Sequence, residues 1–67
     1  MRNPNRLDSF YEEVKRIHKE GFPDWRFIQL MQNFMGWIYQ KTKLDGFYFE
    51  EDKTLALFKE FADKMKV

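Results

Sequence analysis

The chain has 67 residues, 12 Lys and Arg against 11 Asp and Glu, and a net charge of +1; 8 Phe, 3 Tyr and 2 Trp are present and cysteine is absent. That length allows one domain, residues 1–67, and the missing cysteine removes disulfides and thiolate zinc sites. A domain this small buries only about 60% of its unfolded surface, so its stability must come from an aromatic core, each ring burying roughly 150–250 Å², or from association.

Residues 1–5 open the chain with the polar run Arg2-Asn3-Pro4-Asn5. This run is expected to be disordered, and with no apolar stretch behind it no signal peptide is expected. Together with the absence of cysteine, it makes the cytoplasm the expected location. The apolar runs are too short for a membrane span.

The first helix is expected from about Arg6 to Glu20. Leu7, Phe10, Tyr11, Val14, Ile17 and His18 fall on one face at helical spacing. Glu12, Glu13, Lys15, Arg16 and Lys19 take the other face, with Glu12 spaced to pair with Lys15 and Arg16. Gly21 suits the cap, and Pro23 marks the stop.

Asp24 is the expected N-cap of the second helix, Trp25 to Gln40. Its inner stripe reads Phe27, Leu30, Met31, Phe34 and Ile38, yet Ile28, Met35, Trp37 and Tyr39 lie outside it. A helix apolar over more than one face is either central in its domain or meets something else on one side. Gly36 inside it suggests a close helix crossing.

Asp45-Gly46 signals a turn. Phe47-Tyr48-Phe49 reads as an extended hook whose alternate rings, Phe47 and Phe49, pack inward while Tyr48 faces out, or the reverse. Glu50, Glu51 and Asp52 then open the third helix, where negative charge complements the helix dipole, and Lys64 and Lys66 complement its other end. Its buried face is Leu55, Phe58, Phe61, Ala62 and Met65, with Leu57 beside it. The expected fold is all-α: a compact three-helix domain with a hooked aromatic loop before the last helix. Eight rings, Trp37 among them, are assigned to the core. Tyr11, Phe22, Trp25, Tyr39 and Tyr48 form a surplus.

The segment Pro23-Asp24-Trp25-Arg26-Phe27 through Gln29, Asn33-Phe34 and Gly36-Trp37, with Asp45-Gly46-Phe47-Tyr48-Phe49-Glu50-Glu51-Asp52, resembles a group of short uncharacterised proteins of low-GC Gram-positive bacteria and their mobile elements. Their shared core is PDWR…Q…NF…GW. The resemblance covers most of the chain; it supports the fold and implies no chemistry.

Arg26, Gln29 and Asn33 follow one another by about a turn, making a polar line beside the apolar stripe. Two readings apply. Arg26 can pair with Glu50, Glu51 or Asp52 while Asn33 binds a loop carbonyl. Alternatively the line, with Trp25, Tyr39 and Tyr48, is a recognition surface, since Arg and Trp are common interface anchors.

Catalysis is not expected. A nucleophile and base would have to be Ser9 and His18, about 13 Å apart along one helix. Asp45, Glu50, Glu51 and Asp52 lack EF-hand spacing, so no metal or cofactor is expected. Positive and negative charges are evenly spread, and the second helix is too apolar for DNA recognition. Nucleic-acid binding, as in a weak binder of a phage or mobile element, is therefore the alternative. The leading expectation is a small protein-binding or regulatory module with an unidentified protein partner. A homodimer would form through Ile28, Met35 and Tyr39 of the second helix.

Overall fold

The computed structural model describes residues 2–65, and Lys66 lies outside them. The protein is all-α, with α1 at Arg6–Gly21, α2 at Phe27–Thr42 and α3 at Glu51–Met65. No described helix is long and apolar enough to cross a membrane. Residues 2–5 lead into α1 through a turn in which the amides of Arg6 and Leu7 donate to the carbonyls of Asn3 and Pro4.

Helices α1 and α3 lie side by side and run in the same direction. At one end Arg6 Nε donates to Glu51 Oε1 at 2.6 Å, and further along Lys59 Nζ sits 3.8 Å from Glu13 Oε1. Helix α2 connects them, bringing the chain back to the starting end. α3 packs against both α1 and α2, so it is the central helix, rather than α2. Its buried arc is accordingly wide: Leu57, Phe58, Phe61 and Ala62 are buried, Leu55 packs at the edge, and Met65 is exposed. Leu57, expected beside the core, is part of it because α3 has a neighbour on each side.

The core is entirely apolar. Phe61 is its hub, with ring centroids 5.5 Å from Phe22, 5.5 Å from Phe34 and 5.6 Å from Trp37. Phe22 is therefore core rather than surplus. It stacks on Trp25 at 4.6 Å and fills the end of the core that the sequence assigns to Phe27, which is exposed instead.

The α1–α2 connection also differs from expectation. Pro23 and Asp24 occupy the centre of a turn closed by the Trp25 amide donating to Phe22 O at 3.1 Å. Proline favours that central position because its φ is preset. Helix α2 consequently starts two residues late, with Arg26 rather than Asp24 as N-cap. It ends on Lys43, in the left-handed region at φ 63°, whose amide donates to Tyr39 O at 2.8 Å.

The hook is a tight turn, not an extended segment. Gly46 adopts φ 83°, a conformation open to glycine, and Phe49 N–H donates to Gly46 O at 3.0 Å. The reversal removes the alternation. Phe49 packs on the core, while Phe47 and Tyr48 at the turn's centre both project into solvent.

The α1 surface pairs differ as well. Arg16 binds Glu13 at 2.7 Å and Glu20 at 3.1 Å, in place of Glu12. The Arg6 contact lowers the Glu51 carboxyl from its ordinary value of 4.5, chiefly by hydrogen bonding. A carboxyl that is more acidic in the folded state stabilises it above the unfolded pKa, and that contribution disappears as pH falls through the folded value. Thermal melts at pH 7 and pH 3 should therefore show Glu51→Gln lowering the midpoint at pH 7 and shrinking the drop between the two. An unchanged drop would dissociate the Arg6–Glu51 pair from acid sensitivity.

Candidate binding surface on the second helix

Residues 27–40 contain no charged side chain, in a chain that is 34% charged. With only one arc of α2 buried, at Leu30, Phe34 and Ile38, this helix, neutral up to Lys41, presents two exposed flanks.

One flank borders α3 and forms an open groove of about 490 Å³ lined by Trp25, Gln32, Asn33, Gly36, Trp37 and Gln40, with Phe61 and Met65. Trp25 is held by its stack on Phe22, and its carbonyl lies 2.8 Å from His18 Nε2, so the imidazole N–H donates to it. Trp37 leans on Phe34 and Phe61, and Lys41 Nζ sits 5.6 Å from its ring centroid. A Cβ added to Gly36 would meet nothing within 4 Å, so this glycine marks no helix crossing; it leaves open space in the groove. Among the described residues, the side chains of Gln32, Asn33 and Gln40 make no internal hydrogen bond. Each carboxamide retains both donor and acceptor capacity.

The structure separates the six candidate residues. Trp25 and Asn33 share the groove. Arg26 and Gln29 sit at the start of α2, where Gln29 Oε1 accepts the Arg26 amide at 2.8 Å, the reach-back half of a capping box. Tyr39 is on the opposite flank with Ile28 and Met35, and Tyr48 is on the hook against Phe47, 4.9 Å between centroids. The loop-bracing arrangement is not formed. Glu50 and Glu51 are taken by Arg2 and Arg6, and among the described residues Arg26 makes no ion pair. Because Gln29 is spent on the cap, Gln29→Ala should cost about 0.5–1 kcal/mol in urea denaturation, whereas Asn33→Ala should cost nothing measurable.

Gln32, Gly36, Trp37 and Gln40 were not among the candidates from sequence. Their signal is the neutral run itself, with Gln32, Gly36 and Gln40 four residues apart along one line. Ser9 and His18 lie about 13 Å apart along α1, and His18 is engaged by Trp25 O. No cluster of three potential metal ligands exists among the described residues. Comparison with protein-family models, with curated proteins and with solved structures gives no match.

Proposed function

We propose that this domain is a small non-catalytic binding module of the cytoplasm, which receives an uncharged stretch of a protein partner in the Trp25–Trp37 groove. One observation carries the reading. Unspent amides of Gln32, Asn33 and Gln40 flank an open glycine between two indole rings, and the residues lining the groove are uncharged. Carboxamides match the donor and acceptor pattern of peptide backbone, indoles supply apolar area with a polar edge, and the absent Cβ lets a chain approach closely. A phosphate backbone would need free cations, whereas Lys41, which rests on Trp37, is paired with Glu60 Oε2 at 2.7 Å. The resemblance of the PDWR segment to short proteins of mobile elements supports a regulatory role for such a module.

A photo-crosslinking residue at Gln40, compared with one at Lys15 on the far face of α1, tests the reading in cells. The expected result is an adduct to one protein from position 40 alone, diminished by Asn33→Arg. Equal labelling from both positions, or adducts to nucleic acid, would overturn it.

A further inference from the structure

The other flank of α2 carries Ile28, Met35 and Tyr39, each more than half exposed, with the half-buried Met31 and Thr42 beside them. At 3.6 residues per turn, Ile28, Met35 and Tyr39 fall within about 40° of one another around the helix. The order Ile28, Met31, Met35, Tyr39, Thr42 has steps of three, four, four and three residues. That spacing reads the same in both directions about Met35.

We propose that this flank is an interface for a second copy of the chain, the two α2 helices packing antiparallel about a two-fold axis at Met35. The symmetric spacing sets Met35 against Met35, Met31 of one copy against Tyr39 of the other, and Ile28 against Thr42. A sulfur beside an aromatic ring is a favourable contact. A two-fold interface must be self-complementary, and the five side chains of the stripe are uncharged, so none repels its own copy. Antiparallel helices also set the positive end of each dipole beside the negative end of the other.

The area fits. Ile28 is 60%, Met35 54% and Tyr39 58% exposed. With large side chains presenting about 200 Å² each, these three, the adjoining Phe27 and the half-buried Met31 and Thr42 offer on the order of 500 Å² per copy. The total of roughly 1,000 Å² is the size of a weak, reversible interface. This interface uses the flank away from the Trp25–Trp37 groove, so it stands independently of the partner assigned there and leaves both grooves open.

Sedimentation from about 5 to 500 μM should show a monomer–dimer equilibrium. Met35→Lys brings two ammonium groups together on the axis and should weaken it at least about tenfold with unchanged helicity. The native chain has no cysteine, so single substitutions report the register. Met35→Cys should form a disulfide-linked dimer readily, and Ile28→Cys should link only when mixed with Thr42→Cys. A monomer throughout that range, full dimerisation by Met35→Lys, or self-linking by Ile28→Cys as fast as by Met35→Cys would each overturn the proposal. The disulfide comparison decides it even if the lysine variant fails to fold.

Discussion

Phe61→Ala is expected to leave the chain without a cooperative unfolding transition at 25 °C. Phe61 is 1% exposed and is the one ring that meets Phe22, Phe34, Trp37 and Phe58 together. Truncating a buried Phe to Ala costs about 3–5 kcal/mol, from lost transfer energy and the cavity left behind. A core in a chain of this size supplies about 3–5 kcal/mol in total, so one substitution removes the whole margin. Urea titration followed by circular dichroism at 222 nm checks this. Phe61→Leu, which keeps most of the apolar volume, should retain a transition at lower urea. A cooperative Phe61→Ala protein would show that the helices do not depend on this hub.

Phe22→Ala should cost about 3 kcal/mol, an effect out of proportion to its position in a four-residue turn. Its ring stacks on Trp25 and touches Phe61, so it ties the α1–α2 connection to α3. Its amide also closes α1 by donating to His18 O. Loss of the ring frees Trp25 from its support while the backbone bonds remain. The variant should therefore show a lower midpoint in urea and a red-shifted tryptophan emission even where it is folded. Emission unchanged from the native protein would mean that Trp25 is held by something other than Phe22.

Helix periodicity was enough to place all three helices and most of the core, because Leu30, Phe34, Ile38, Phe58 and Phe61 repeat at a helical period and each has an apolar neighbour to bury against. The errors fall where position in a turn outweighs periodicity. Phe22 lies outside any helix, and only the turn around Pro23 and Asp24 folds it back onto the core. Phe27 sits on the inner stripe of α2 but one turn before the core begins. Phe47 follows a strand-like alternation that the left-handed Gly46 breaks. Which helix is central was not legible from composition, since α2 is the most apolar and yet α3 has the two neighbours. At the candidate site, Trp25 and Asn33 were found through residue type and spacing. The flanking Gln32, Gly36 and Gln40 acquire meaning only once α3 forms the opposite wall of the groove.

The parallel run of α1 and α3 bears on how the chain folds in time. Their contacts, such as Arg6 to Glu51, join residues 45 apart. Neither helix can use them until α2 and both turns have brought the ends together. Isolated helices of 15 or 16 residues are marginal in water, so α1 gains little by forming early. The entropy of closing that loop falls due before most of the packing energy is recovered. A chain ending at residue 50 should accordingly be unfolded rather than partly folded. During synthesis the domain should acquire structure in one step, when α3 has cleared the ribosome.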